Sequence, residues 1–580
     1  MQYSTIQELI QAEEPKYRTQ TVSPVEGLDW NMYDHVRKTL LYKNSKYAEG
    51  NQSRPFRNIT RPILNLQYRS EGFDVKDIII FVNEASKYAL SFLTKKFHVK
   101  WARENRLDDF IDDMVESFVD FGGALLQRKK AILPEVKALN TIAFCDQTNL
   151  LGGPIAFKHF FSPDELIKMK EWNNGDIKLK DLINLSRDYW KKQSGDQKQS
   201  ETPGKQIEVY EVHGSFPVSW LYDDYKQEEG EDEEYVYQMH ICSFYSDEKK
   251  QKQWQTLFKG REDVPFKVIL RDPIKGRALG IGGAEEIFDP QVWSNLSAIR
   301  LQEALSHASK IIHLTDDPAI AKRQNTTKLK TGAILELATG KTMRQLDNQP
   351  KNFEFFNQDI KEWQQVGQLI SAATDPQLGI EPKAGTPFAL QNLVTQEGAS
   401  IHVYRRGKLA SFLGFVYRDW ILPAISRELR KGSKFLADLD LDELEDISDR
   451  FARNVTENAK KEMILNGKVS FQDMAVFEQK IREEFRRGGT KRWVEIFENE
   501  FKNIPLDIEV NIAGKQRDLA GKTQTLVNLW SAIVKNPTAL QDPQMLKLLN
   551  QILEASDVSP ISVNLKPPAQ PVAPQPQPVA

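Results

Sequence analysis

The chain has 580 residues, 78 basic and 81 acidic side chains, and a formal net charge of −3, which argues against a duplex-coating protein, since that would be strongly basic. A 40% apolar and 27% charged composition has material for several cores, and two cysteines, Cys145 and Cys242, cannot build a disulfide framework and fit a reducing compartment. No apolar run reaches the ~18 residues of a membrane span; the best, Leu409 to Ile425, is broken by Arg418 and Asp419, and the polar N-terminus MQYSTIQELIQAEEPKYR has no signal-peptide core.

In chain order, residues 1–60 are polar and aromatic without a strong period. A helical region is expected from about Val75 to Gln127, carrying DIIIFVNEASKYALSFL and then DDFIDDMVESFVDFGGALLQRKK. In the second stretch Phe110, Met114, Phe118 and Phe121 recur at helical spacing, and Gly122-Gly123 can end or bend the helix. From about Gln206 to Leu270 the period changes. IEVYEVHGSF, YVYQMHICSFY and PFKVILRD read as strands of an antiparallel sheet. The acidic run DDYKQEEGEDEEY between the first two reads as a solvated loop.

Asp289-Pro290 marks a helix start, with Asp as cap and Pro in the first turn. The helix PQVWSNLSAIRLQEALSHASKIIH would run ~35 Å at 1.5 Å per residue, with a broad apolar face that includes Val292, Trp293, Leu296 and Ile299. Beyond DDPAIAKRQNTTKLK, the segments GAILEL and TMRQL flank Ala338 to Lys341 as an expected hairpin. A second helix, about Gln358 to Ala373, carries a seam of Phe356, Ile360, Trp363, Gly367 and Ile370. Thus two helices flank a small β insert, like a stalk with a tip.

TDPQLGIEPKAGTP (374–387) is loop chemistry, and a helix from Thr386-Pro387 should end or kink at Pro423. A charged helical stretch follows at about Asp446 to Lys502. LDIEVNI (Leu506 to Ile512) alternates as a strand, two helices are expected within 515–553, and the proline-rich tail from Lys566 cannot bury a core.

Several motifs imitate chemistry. Gly340-Lys341-Thr342 and Gly521-Lys522-Thr523 end like a phosphate loop, but Leu335 and Gln516 stand where that loop needs its first glycine. Gly280, Gly282 and Gly283 lack a βαβ setting and read as a flexible joint where sheet hands over to helix. DLDLDELEDISD (Asp438 to Asp449) lacks the glycine and closing glutamate of a calcium loop. His307 and His313, six apart on the expected helix, do not share a face. No HExxH, paired CxxC or GxSxG is present. A structural or binding protein without cofactor or metal is the expectation. Lys322, Arg323, Lys328 and Lys330 in the insert, with Lys341 and Arg344 on its hairpin, form a basic cluster. It suits phosphate or an acidic partner surface, or is an ordinary solvated tip.

The order of parts resembles that of a tailed-bacteriophage portal protein. The residues that carry the resemblance are PFKVILRDPIKGRALGIGGAEEIFDPQVWSNLSAIRLQEALSHASKIIH (end of wing and first stem helix), the insert ending TGAILELATGKTMRQL (clip), FEFFNQDIKEWQQVGQLISAATDP (second stem helix), and QLGIEPKAGTPFALQNLVTQEGAS (tunnel loop and the helix behind it). QSRPFRNITRPILNLQYRSEGF resembles the opening of the wing; the insertion Lys226 to Glu234 has no counterpart.

The resemblance implies a mixed α+β, helix-rich fold. Its parts would be an antiparallel sheet wing (1–283 and 391–512), stem helices (284–312 and 353–373), a β-hairpin clip (313–352), a tunnel loop (374–390), a helical crown (513–555) and a disordered tail (556–580). It implies a virion component, met in the host cytoplasm during assembly, that forms a ring of about twelve copies at one capsid vertex. Double-stranded DNA would pass through during packaging and ejection. The implied partners are terminase, head–tail adaptor, major capsid and scaffold proteins, with no membrane and no enzymatic activity of its own. Gln377, Glu381, Lys383 and Thr386 would line the channel, and the basic tip would dock adaptor and motor. A mildly acidic conduit does not grip DNA, since each neutralised phosphate adds affinity and hinders sliding. The rival expectations are a nucleic-acid-processing enzyme and another phage tail or capsid assembly protein.

Overall fold

The computed structural model describes residues 3–24, 26–45, 56–82, 97–129, 133–173, 177–193, 206–222, 234–246, 252–309, 313–316, 337–345, 353–373, 388–429 and 506–510, with isolated positions besides. The chain divides into two compact units, Met1–Val510 and Asn511–Ala580. Every described residue belongs to the first. The expected helices within 515–553, the proline-rich tail, the Asp438 to Asp449 run, Gly521 to Thr523, and all but two positions of the charged stretch 446–502 therefore lie outside the described residues, as does the core of the acidic insertion.

The first third contains α1 (Ile6–Thr19), α2 (Met32–Asn44), α3 (Thr60–Glu71), β1 (Ile78–Val82), a helix over 97–104 (α4), α5 (Leu107–Phe121), β2 (Gly123–Gln127), β3 (Glu135–Val136), β4 (Ile142–Phe144) and β5 (Ile155–Phe161). Next come α6 (Pro163–Lys168), α7 (Leu179–Gln193), β6 (Ile207–Pro217), β7 (Tyr235–Ser246), β8 (Lys252–Arg261), β9 (Phe266–Leu270) and α8 (Gly283–Glu286). The remainder is α9 (Phe288–Ala308), β10 (His313–Thr315), β11 (Met343–Gln345), α10 (Phe353–Ile370), α11 (Phe388–Val416), a π-turn at Tyr417–Ile421, α12 (Leu422–Leu429) and β12 (Leu506–Val510). The fold is thus mixed α+β and helix-rich with antiparallel sheets.

Local chemistry explains the boundaries. Thr5 and Asn31 cap α1 and α2 by accepting from Glu8 N and Asp34 N, and Ser162 with Glu165 forms a capping box on α6. On α5, Leu107, Phe110, Ile111, Met114, Val115, Phe118 and Val119 are buried, the expected helical stripe. Each fully buried Leu or Phe is worth roughly 1.5–3 kcal/mol over its exposed state. The helix ends at Gly122, φ 76°, and Gly123 opens a strand. The expected helix to Gln127 is therefore a helix and then a strand.

β4 to β8 form a five-stranded antiparallel sheet in sequence order, and β3-β2-β9 a three-stranded one. The three strands expected between Gln206 and Leu270 are present as β6, β7 and β9, the last paired with β2 in the second sheet. One core joins α4, α5, β1, β2 and the C-terminal half of α11, with Trp101, Phe118, Leu413 and Tyr417 inside. A second lies among α1, α2, β2 and the five-stranded sheet, and a third sits under α6 and α7.

Several expectations about helices are corrected. Ile78 to Val82, expected as helix, is a strand paired with Leu506–Val510, a partner only folding brings near. His313, expected at the end of a long helix, begins β10, because α9 stops at Ala308. Asp289 is also not the cap; α9 starts at Phe288 and no side chain caps it. The helix does not end at Pro423: helical backbone continues through the π-helical turn Tyr417–Ile421 into α12, which contains Pro423.

The glycine joint is packed rather than flexible. A Cβ on Gly282 would come 2.2 Å from Asp120 O, and one on Gly122 would come 2.3 Å from Gly280 O. Glycine is needed here for backbone to meet backbone.

Candidate assembly interface

α9 and α10 pack side by side. The Trp293 and Trp363 rings stack across the seam with centroids 6.1 Å apart and planes 14° apart. Ser297 donates to Asp359, and Gly367 lies against Pro290 and Ile287.

The face that α9 turns to the body is polar. Its buried residues are Pro290, Gln291, Ser294, Asn295 and Ser297. Gln291 Oε1 accepts from Ile59 N at 2.9 Å, from Thr60 N at 3.2 Å and from Thr60 Oγ1 at 3.0 Å, while its Nε2 donates to Arg57 O at 2.7 Å. Asn295 Oδ1 accepts from Arg57 N at 3.0 Å. The side chains thus satisfy the backbone that enters α3, which has no side-chain cap of its own.

The apolar residues of α9 are covered less. Val292, Trp293 and Leu305 are exposed, and Leu296 and Ile299 line an apolar recess of about 190 Å³ with Leu41, Tyr42 and Phe56. On α10, Phe355 is 76% and Leu369 82% exposed, with Val366 and Ile370 exposed beside them. At 3.6 residues per turn, Phe355, Val366 and Leu369 fall within about 60° of one another. The helix pair therefore leaves several large apolar side chains exposed, Phe355 and Leu369 above all.

At the tip, β10 and β11 pair as His313↔Gln345, Leu314↔Arg344 and Thr315↔Met343. Met343–Gln345 of TMRQL is a strand as expected, but its described partner is His313–Thr315; all of GAILEL except Leu337 lies outside the described residues. A turn carries Gly340 at φ 80°, and Lys341 N donates to Ala338 O at 3.0 Å. Lys341 and Arg344 are exposed there, whereas Lys322, Arg323, Lys328 and Lys330 lie outside the described residues. Gly340 to Thr342 leads into a strand, not the helix a phosphate loop opens. His307, on α9, and His313, on β10, sit on different elements. No group of three or more His, Cys, Asp or Glu is placed to hold a metal among the described residues. No described helix is long and apolar enough to cross a membrane.

Gln377, Glu381, Lys383 and Thr386 lie outside the described residues. The helix beyond them, α11, is tied to the end of α3 by buried charge. Arg271 pairs with Glu71 at 2.8 Å, both with no exposure, and His402 Nδ1 lies 3.0 Å from Glu71 Oε1. Burial pushes the Glu71 carboxyl up, but His402, Arg271 and Arg405 outweigh it and bring it down to about 2. Neither this network nor the polar inner face of α9 follows from local periodicity. Gln291, Ser294 and Asn295 do form a polar stripe at helical spacing, the one available signal, but a stripe does not say which side is covered.

No family model and no curated protein matches this chain. Among solved structures the chain is similar, at 9% identity and a TM-score of 0.28, to a chain described as part of the virion of a native gene transfer agent particle. The match covers 80% of this chain and 95% of that one.

Proposed function

We propose that the chain is a self-assembling subunit of a DNA conduit, a portal-type protein whose copies close into a ring. One observation carries this: α9 buries Gln291 and Asn295 against its own body, while Val292 and Trp293 stay 40% and 45% exposed. Full burial of one large apolar side chain is worth roughly 1.5–3 kcal/mol, so several such residues, with those of α10, favour strongly a surface that covers them. Further copies of the chain provide that cover, and repeated contact between different faces of a subunit closes a ring when the rotation allows.

In this reading α9 and α10 are the stem, β10 and β11 belong to a clip that docks motor and adaptor through its basic residues, and 374–390 narrows the channel. The near-neutral charge keeps DNA sliding. Packaging energy comes from the motor, not from this chain.

Native mass measurement with negative-stain imaging tests the proposal. Rings of about twelve 66.6 kDa subunits with a central hole are expected. Monomers or solid particles at micromolar concentration would overturn it.

A further inference from the structure

His213 on β6 is fully buried. Its Nε2 lies 2.9 Å from Glu211 Oε1, and its Nδ1 lies 3.2 Å from Glu262 Oε2, just beyond β8. The second contact is an ion-pair approach off the line of a hydrogen bond. A neutral imidazole has one N–H and one lone pair. In either tautomer the lone pair would lie beside a carboxylate oxygen; the imidazolium alone carries a hydrogen on both nitrogens and a positive charge between the two carboxylates.

Glu211 is the hub of a wider cluster. It accepts from Gln127 Nε2 at 2.6 Å and pairs with His159 Nε2 at 2.8 Å and Lys137 Nζ at 3.6 Å. Gln127 ends β2 and Lys137 follows β3, so both belong to the three-stranded sheet. Glu211, His213 and His159 belong to the five-stranded sheet, and Glu262 follows its last strand.

We infer that His213 is a proton-operated clasp that ties β6, across β7, to the segment leaving β8, closed while its ring carries both protons and loosened when one leaves. Of the other groups around the ring, the Gln127 amide Nε2 lies 3.4 Å from His213 Nε2 but makes its shorter hydrogen bond, 2.6 Å, to Glu211. Phe266 from β9 meets it edge-on at 4.8 Å, and Phe157 and Tyr237 flank it. His240 on β7, with Lys259 nearby, is brought down to about 4 by burial and stays neutral. Lys137 and protonated His213 thus balance Glu211 and Glu262.

Burial pulls His213 down, but Glu211 and Glu262 outweigh it and set the ring above the usual imidazole value of 6.5. Burial raises Glu211, yet His159, His213 and Lys137 hold it well below the carboxylate range, so it stays charged throughout. A raised base stabilises below its ordinary pKa and loses that stability as pH rises through its folded value. The clasp therefore opens on the alkaline side. The β7–β8 ladder, which runs as far as Gln238 opposite Arg261, remains in place, so opening loosens the segment after β8 without unfolding the sheet.

Hydrogen–deuterium exchange of the full chain tests this, with rates corrected for intrinsic exchange, at about pH 6 and about pH 8.5. Peptides over 257–266 should lose protection about tenfold at the higher pH. Glu262→Gln, at a partly exposed position, should show the low protection at both values while peptides over 155–161 stay protected. His213→Gln should do the same where it folds. Equal protection of the wild type at both values, or wild-type protection in Glu262→Gln at the lower one, would overturn the inference. Neither outcome depends on whether the chain forms rings.

Discussion

Arg405 on α11 holds Glu286, the last residue of α8, at 2.6 Å, and Asp272 at the same distance. One guanidinium thus fastens the helix that follows residues 374–387 to the segment that launches α9. The same Arg405 approaches Glu71 at 3.4 Å, and Arg271 completes the cluster. A buried ion network of this kind adds little net stability when intact but costs about 3–5 kcal/mol when one partner is removed.

The network predicts acid sensitivity. Glu71 is held at about 2 against an ordinary value of 4.5. A depressed carboxyl stabilises above its ordinary pKa, and that stability fades as pH falls through the folded value. The contribution at neutral pH is on the order of 3 kcal/mol. Urea unfolding between about pH 6 and about pH 2.5 should show the decline, and Glu71→Gln should flatten it while lowering neutral stability. A mutant curve parallel to the wild type would contradict this.

The exposed face predicts a separation of folding from assembly. Phe355→Asp with Leu369→Asp alters residues 76% and 82% exposed. Subunit stability should change by less than about 0.5 kcal/mol per site. Light scattering after size exclusion should nevertheless show smaller species. Gln291→Leu is the converse: it orphans the backbone groups of Arg57, Ile59 and Thr60 and should destabilise the subunit by about 1–3 kcal/mol.

The glycines predict opposite signs. Gly282→Ala drives a Cβ to 2.2 Å from Asp120 O, where only backbone can yield. A loss of more than about 2 kcal/mol is expected. Gly407, inside α11, has nothing within 4 Å of its Cβ. Gly407→Ala should stabilise by about 0.4–1 kcal/mol through helix propensity and unfolded-state entropy. Thermal melts of both variants check the pair.

The elements legible in the sequence are those whose period is enforced by local burial. α5 shows its stripe because Phe110, Met114 and Phe118 all enter one core. β6 and β7 are rich in Val, Ile and Tyr because they are central in a five-stranded sheet. Ile78 to Val82 misleads because a short apolar run has no period of its own; its partner at Leu506–Val510 decides its state. α9 misleads differently. Its apolar stripe was visible, but periodicity cannot tell a covered side from a bare one, and here Gln291 and Asn295 take the inside. Glu71, Arg271, His402 and Arg405 are far apart in sequence, so their meeting is tertiary and leaves no local trace.

The β1–β12 ribbon has a consequence for biosynthesis. Ile78–Val82 leaves the ribosome roughly 400 residues before the strand that completes it, an interval of ~20–80 s at about 5–20 residues per second. Throughout that wait a run of three isoleucines, a phenylalanine and a valine has an unsatisfied edge, open to pairing with other nascent chains. Yield of intact polypeptide should therefore depend on chaperone supply and on slow, cool expression, and any truncation ahead of Leu506 should aggregate.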